Sequence, residues 1–181
     1  EAVIAAAIEL QRRNRPDIKL VLVGDGKLKP ELQRKANQAL LKNLIFYDPV
    51  PKPKLRRLLQ AADLGMQILA NVPAFYYGTS PNKFFDYIAT GLPVLNNYPG
   101  WIAEIVEENS CGFVVPPHDP VAFADALESA ADNRAKLIKM GNNARALAEK
   151  MFDRKNLADE FYLIDTKDYK KTSEIAKNLV R

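Results

Sequence analysis

Apolar residues along the chain fall either into short continuous runs or at helical spacing. At the beginning, Ala5, Ile8 and Leu10 lie on one side of a predicted helix that has no start signal before Glu1. We therefore expect the chain to be a fragment of a longer protein. Residues 19–23 form a valine- and leucine-rich run that ends in a glycine turn, as a buried strand does.

Strands and helices then alternate in a regular order. The predicted strands cover residues 19–23, 44–47, 64–69, 94–96 and 112–115. Predicted helices begin at residue 30 and cover residues 53–62, 82–89, 101–108 and 120–131. Because each strand is followed by a crossover, we predict an α/β fold, a Rossmann-like parallel sheet with helices on both faces. In such sheets ligands bind at the carboxyl ends of the strands.

Strand signals stop after residue 134, and the chain ends in a helical tail. Apolar spacing through Leu137, Met140 and Ala144, and again over residues 156–164, predicts helices. The length of 181 residues suits a single well-buried domain. We assign residues 1–165 to that domain and residues 166–181 to a tail that is helical or disordered.

Composition narrows the function classes. The chain is 48% hydrophobic and 27% charged, as in an ordinary globular protein. It has no apolar stretch long enough to span a bilayer and no signal peptide, so we expect a cytoplasmic location. A single cysteine, Cys111, and a single histidine, His118, argue against disulfide and zinc chemistry. We expect Cys111 to be buried, His118 to be exposed and no metal to be bound.

The charge favours an anionic partner. A net charge of +4 and a pI near 9.1 suit a nucleotide, a nucleic acid or an acidic membrane face. The basic residues are dispersed and lack interleaved aromatic residues, so we predict no nucleic-acid binding. Contact of the basic helices with the inner face of the cell membrane is a hypothesis for the full-length protein.

Two loops at predicted strand ends carry candidate chemistry. The turn Gly24-Asp25-Gly26 lets a backbone approach a ligand closely, although a plain turn is the alternative. Residues 78–83 run into a helix amino terminus with hydroxyls, N–H groups and a lysine, which are the donors that a diphosphate requires. Ser80 or Asn82 would alternatively cap that helix.

Asp86 lies one turn further along the same predicted helix, among apolar and aromatic neighbours. A carboxylate desolvated in this way needs a partner. We expect either an ion pair with a neighbour such as Lys83 or hydrogen bonds from a pair of ligand hydroxyls, and the spacing leaves both open.

Residues 80–94, Ser-Pro-Asn-Lys-Phe-Phe-Asp-Tyr-Ile-Ala-Thr-Gly-Leu-Pro-Val, resemble the signature of family-four (group 1) glycosyltransferases of the GT-B fold. Matching segments at residues 21–26, 61–65 and 112–120 extend the resemblance over about residues 15–150. It implies the carboxyl-terminal, nucleotide-sugar-binding half of a retaining enzyme. The amino-terminal acceptor-binding domain would then lie outside this chain, together with a strand and a basic loop before Glu1, and the isolated domain would be inactive.

The resemblance also assigns residues. Lys83 begins the helix beside the diphosphate and is the catalytic candidate, while Asp86 matches the acidic residue that accepts hydrogen bonds from the ribose. Glu104 has a supporting role. Gly78 stands where many members carry a glutamate that contacts the donor sugar, which leaves the sugar unassigned. The donor-binding candidates, besides Asp86, are Gly24, Gly26, Val50, Gly78, Thr79, Ser80, Pro81 and Asn82.

By resemblance, the donor is a UDP-sugar that carries a hexosyl or N-acetylhexosaminyl group, and the acceptor is a glycan or lipid-linked molecule of a bacterial surface polysaccharide or lipopolysaccharide. No cofactor or metal is expected, because a lysine, N–H groups and a helix dipole stabilise the departing diphosphate. Gly78 favours the alternative of a non-catalytic nucleotide-binding module with the same fold. A nucleotide-sugar epimerase would need a tyrosine-lysine pair that the sequence lacks on a suitable helix.

Overall fold

The computed structural model describes residues 1–153, and the predicted helix at residues 156–164 and the tail at 166–181 lie outside them. The helices are α1 (Ala2–Arg12), α2 (Lys29–Gln38), α3 (Lys52–Ala61), α4 (Asn82–Ala89), α5 (Trp101–Glu108), α6 (Pro120–Asp132) and α7 (Arg134–Met151). The strands are β1 (Leu20–Val23), β2 (Leu44–Tyr47), β3 (Gly65–Gln67), β4 (Val94–Asn96) and β5 (Gly112–Val114). Each predicted element in this range is present, and its ends differ from the prediction by at most two residues. A short 3-10 helix, Pro73–Phe75, was not predicted.

The strand pairing confirms the predicted α/β fold class. All of the described ladders are parallel, and helices separate the strands along the chain. The strands form two sheets rather than one continuous sheet: β1 pairs with β2 in the first, and β4 lies between β3 and β5 in the second. The alternation of strands and helices along a sequence does not determine which strands become neighbours, so this division was not foreseen.

Two groups of buried side chains form the core. The first joins α1 and α6 to strands of both sheets, since it includes Leu20 of β1 and Leu95 of β4. The second lies among α4, α5 and α7. The prediction that Ile8 lies on the buried side of α1 is wrong. Ile8 is 46% exposed, whereas Ala6 and Ala7 are fully buried. Small alanine side chains allow α1 to pack closely on α6, and this contact sets which side of the helix is buried.

Helix α4 is held directly against β3. A Cβ atom added to Gly65 would lie 2.5 Å from Cγ of Tyr87, so only a glycine leaves room for this ring. The Tyr87 hydroxyl donates a hydrogen bond to the Met66 carbonyl, 3.3 Å away. At the other end of α4, Arg145 of α7 donates to the carbonyl of Ala89. These contacts place the amino terminus of α4 beside the carboxyl end of β3.

Candidate functional site

The amino terminus of α4 has no side-chain cap. Its N-cap residue is Pro81, and Asn82 is the first helical residue. The expectation that Ser80 or Asn82 caps the helix is therefore wrong, because Asn82 lies inside the helix and neither side chain accepts a bond from its first N–H groups. The first N–H groups of a helix have no intrahelical partner and form a binding site for an anion.

The Lys83 ammonium lies at the carboxyl end of β3. Its Nζ donates to the carbonyl of Ile68, 3.4 Å away. The residue as a whole is exposed, but the ammonium is partly desolvated against the strand end, and this lowers the pKa of Lys83. None of the ion pairs within residues 1–153 involves Lys83. A cation held by a neutral carbonyl retains its full charge for an anionic ligand.

Asp86 is exposed on the outer side of α4. The apolar side chains of Phe84 and Ile88 are fully buried, and helical geometry directs them away from Asp86. The expected desolvation of this carboxylate is therefore wrong, and so is the ion pair with Lys83, which is absent from the described part of the chain. Hydrogen bonds from ligand hydroxyls remain a prediction.

The loop that joins β3 to α4 carries the other candidates. Thr79 and Pro81 are half-buried, whereas Gly78, Ser80 and Asn82 are exposed. The backbone of this loop is therefore accessible along most of the segment that sequence analysis assigned to the diphosphate.

Residues at the start of α5 hold this loop in place. The indole Nε1 of Trp101 donates to the Thr79 carbonyl at 2.9 Å, and the Trp101 ring packs in the second core. Tyr76 is buried and stacks on Tyr98 with ring centroids 6.0 Å apart. Of the two neighbouring tyrosines in this loop, Tyr76 is thus a packing residue and Tyr77, at 69% exposure, is free of the core.

Buried amide side chains lie at the ends of β3 and β4, and the sequence analysis did not predict them. The Asn97 side chain accepts a bond from the Leu69 N–H at 2.9 Å and donates to the Leu69 carbonyl at 3.1 Å. Gln67 lies opposite Asn96 in the ladder, and its amide donates to the Tyr98 hydroxyl at 3.0 Å. The signal that could have revealed them is the pair of polar residues, Asn96 and Asn97, at the end of a buried strand.

The remaining candidates lie at the carboxyl ends of the strands in the β1–β2 sheet. Gly24 has a φ of +150°, a conformation that favours glycine, and its N–H donates to the Tyr47 carbonyl at 3.2 Å. A Cβ on Gly24 or Gly26 would meet no atom within 4 Å, so the space beside this turn is open. Val50 is half-buried just before α3. The two groups of candidates thus follow strands of different sheets, all of them at carboxyl ends.

A cleft of about 230 Å³ opens at the carboxyl ends of β4 and β5. Asn97, His118 and Asp119 contribute to its lining, and His118 is exposed, as expected.

The residues that the structure describes contain no group of three or more histidine, cysteine, aspartate or glutamate side chains arranged to hold a metal ion. No helix within residues 1–153 combines the length and apolar character needed to cross a membrane.

Comparison with known proteins agrees with this architecture. A family model described as glycosyl transferases group 1 matches residues 1–133. The D-inositol 3-phosphate glycosyltransferase of Corynebacterium glutamicum (strain R) is 32% identical over 108 residues, which cover 57% of this chain and 23% of that protein. The chain therefore spans about a quarter of the length of this curated relative.

Solved structures show the same fold. HepE from Anabaena, in complex with UDP-glucose, has a TM-score of 0.73 at 20% identity, over 90% of this chain and 44% of that chain. The C-terminal domain of LpcC, a group 1 family glycosyl transferase from Francisella tularensis, has a TM-score of 0.68 at 22% identity, over 84% of this chain and 78% of that chain. With the family match over most of the chain and the fold of GT-B glycosyltransferases, the resemblance seen in the sequence is confirmed: this chain belongs to the group 1 glycosyl transferases.

Proposed function

We propose that this chain is the donor-binding part of a retaining glycosyltransferase and that it holds a nucleotide diphosphate sugar at the amino terminus of α4. The observation that carries the proposal is the uncapped start of α4 beside a lysine ammonium with no carboxylate partner in residues 1–153. Free N–H groups, the positive end of a helix dipole and a cation are together complementary to a diphosphate.

The same groups would promote transfer. When the bond between the anomeric carbon and the diphosphate oxygen breaks, its electron pair stays on the diphosphate. The acceptor hydroxyl oxygen takes its place on the same face of the sugar, and the hydroxyl proton passes to the departing diphosphate. Lys83 and the N–H groups of α4 stabilise that developing charge, and they need no metal to do so. Asp86, exposed on α4, would accept hydrogen bonds from the two ribose hydroxyls.

UDP is the proposed nucleotide, and the relative HepE, solved with UDP-glucose, supports this choice. The donor domain is proposed to extend over residues 1–165, with a hexosyl or N-acetylhexosaminyl donor and a glycan or lipid-linked acceptor. The acceptor-binding domain would lie outside this chain, so that this part is inactive alone, and the complete enzyme would work at the inner face of the cell membrane. A second candidate, a non-catalytic nucleotide-binding module, is favoured by Gly78, which offers no carboxylate to the donor sugar.

A titration with UDP, GDP and ADP by calorimetry tests donor binding. Lys83→Met should weaken binding of the preferred nucleotide by roughly 10- to 100-fold, because hydrogen bonds to charged groups contribute about 1.5–3 kcal/mol. Lys139→Met is the matched control, since Lys139 is an exposed lysine of α7. Equal affinities of wild type and Lys83→Met would contradict the placement of the diphosphate at α4.

Asp86→Ala tests the ribose contact in the same titration. It should weaken binding of the nucleoside diphosphate but not that of inorganic pyrophosphate, which has no ribose. Glu108→Ala, at an exposed glutamate of α5, is the control. Equal weakening toward both ligands would assign Asp86 a general electrostatic effect in place of ribose recognition.

Turnover by the complete protein separates the two candidate functions. Incubation with UDP-sugars and analysis of the product's anomeric configuration by NMR should show transfer with retention. Nucleotide binding without turnover in the complete protein would instead identify the non-catalytic module.

A further inference from the structure

One peptide group connects Asn97 to Lys83. The peptide that joins Ile68 to Leu69 presents its N–H to the Asn97 Oδ1 atom at 2.9 Å and its carbonyl to the Lys83 Nζ atom at 3.4 Å. A peptide group is planar and rigid, so its N–H and its carbonyl turn together. Any rotation that breaks the bond to Asn97 therefore moves the acceptor that locates the Lys83 ammonium.

Asn97 is well suited to hold this peptide. Its side chain also donates to the Leu69 carbonyl at 3.1 Å, so that it binds both polar groups of Leu69 as a neighbouring strand would. The residue is only 3% exposed, and water therefore does not compete for these bonds. Strand β3 ends at Gln67, and the Asn97 side chain extends its ordered backbone by two residues beyond the ladder.

The turn that contains Asn97 is itself fixed. Asn96 precedes it and is fully buried, and Tyr98 follows it at 1% exposure. The Tyr98 hydroxyl accepts a hydrogen bond from Gln67 at 3.0 Å. Asn97 is thus presented by a rigid support and has no freedom to follow a displaced Leu69.

We propose that Asn97 is a positioning residue of the nucleotide site, which holds the Ile68–Leu69 peptide so that the Lys83 ammonium is placed for the diphosphate. This inference rests on the proposed function. Asn97 acts through Lys83 and not on the ligand, and this distinguishes its role from that of a contact residue.

The test is a double-mutant cycle on UDP affinity, with wild type, Asn97→Leu, Lys83→Met and the double variant. Asn97→Leu should weaken UDP binding by roughly tenfold and by no more than Lys83→Met does, because it disturbs a charge-assisted contact without removing the charge. In the Lys83→Met background the same change should have no further effect, since the group through which it acts is gone. Equal effects of Asn97→Leu in both backgrounds would overturn the proposal.

Asn43→Leu is the matched control. Asn43 is 4% exposed, and its amide donates to the Ala7 carbonyl at 3.1 Å, just before β2 of the other sheet. This variant also loses a buried amide hydrogen bond, so it should lower the denaturation midpoint while UDP affinity stays at the wild-type value. If Asn43→Leu weakened UDP binding as much as Asn97→Leu does, the effect of Asn97→Leu would be explained by lost stability alone, and the proposal would be overturned.

A measurement on the wild type remains available if Asn97→Leu does not fold. Binding is reciprocal, so UDP that engages Lys83 should tighten the peptide on which Lys83 rests. Saturating UDP should therefore slow hydrogen exchange of the Leu69 amide, and unchanged exchange would overturn the proposal. Failure of wild type to bind UDP, GDP or ADP would remove the proposed function and this inference together, whereas normal binding with an unaffected Asn97→Leu variant would remove this inference alone.

Discussion

Replacement of Gly65 by alanine is a stringent test of how α4 is positioned. The added Cβ would lie 2.5, 2.6 and 2.8 Å from Cγ, Cδ2 and Cδ1 of the Tyr87 ring. Carbon atoms in favourable contact are about 3.5–4.0 Å apart, so the ring would have to retreat by about 1 Å. The Tyr87 hydroxyl donates a hydrogen bond to the Met66 carbonyl, and the ring cannot rotate away from Gly65 without losing that hydrogen bond. The whole of α4 would therefore have to shift, with the fully buried Phe84 and Ile88.

The magnitude follows from two opposing effects. Overpacking of a core position lowers the free energy of unfolding by about 1–3 kcal/mol. Loss of glycine's freedom in the unfolded chain offsets this by about 0.4–1 kcal/mol. All three contacts are shorter than 3 Å, so we expect the upper part of the overpacking range, about 2–3 kcal/mol. The net destabilisation expected for Gly65→Ala is then about 1–2.6 kcal/mol, which lowers the midpoint of thermal unfolding by about 2–10 °C for a domain of this size.

Thermal and urea denaturation followed by circular dichroism measure this difference. Gly26→Ala is the control, because a Cβ there meets no atom within 4 Å and stability should be unchanged or slightly higher. In a Tyr87→Leu background the ring is absent, and Gly65→Ala should lose most of its effect. A Gly65→Ala protein as stable as wild type, or an equal loss in both backgrounds, would refute the proposed contact.

Three further predictions concern the rest of the chain. Hydrogen bonds from Arg12 and Arg13 lower the pKa of Glu9 to about 2, so Glu9 stabilises the fold above about pH 4.5 and loses this effect as the pH falls to about 2. In Glu9→Gln the free energy of unfolding should fall less over that pH range than in wild type. Equal pH dependence of the free energy of unfolding in the two proteins would contradict this prediction. Burial raises the pKa of the Cys111 thiol to about 11, so the thiol of the native protein should react with iodoacetamide only after unfolding. Labelling of the native protein at the rate of a free thiol would contradict the burial of Cys111. Asp119 is the N-cap of α6 and accepts a hydrogen bond from the Ala122 N–H at 2.8 Å. Asp119→Ala should therefore lower the free energy of unfolding, measured by urea denaturation, by about 1 kcal/mol. The control Glu107→Ala should have the wild-type free energy of unfolding, and an unchanged value for Asp119→Ala would contradict the cap.

The fold class was predictable because its signals are local. Strand β2 and helices α4 and α5 were predicted with their observed ends, since apolar runs, glycine turns and helical spacing depend on residues close together in the chain. The family resemblance was readable for a similar reason, because residues 80–94 form one uninterrupted segment. Both were confirmed.

Local patterns failed where a side chain's surroundings come from elsewhere in the chain. Ile8 fits the apolar side of α1 by spacing, yet contact with α6 decides which side is buried. Asp86 has apolar neighbours in sequence, but they point into the core while it faces outward. Neighbours in a helix diverge by about 100° per residue, so closeness in sequence does not imply a shared environment.

The sequence by itself determined the order of strands and helices and the family, and it predicted the loop in which a diphosphate would be held. Only the tertiary structure decided that the strands form two sheets, that α4 lies directly on Gly65, and that Asn97 holds the backbone of Leu69. Asn97 and Leu69 are 28 residues apart in the chain. Such a bond forms because the strands before both residues are adjacent in the sheet, and that adjacency is set by packing of the whole chain and by no pattern within either segment.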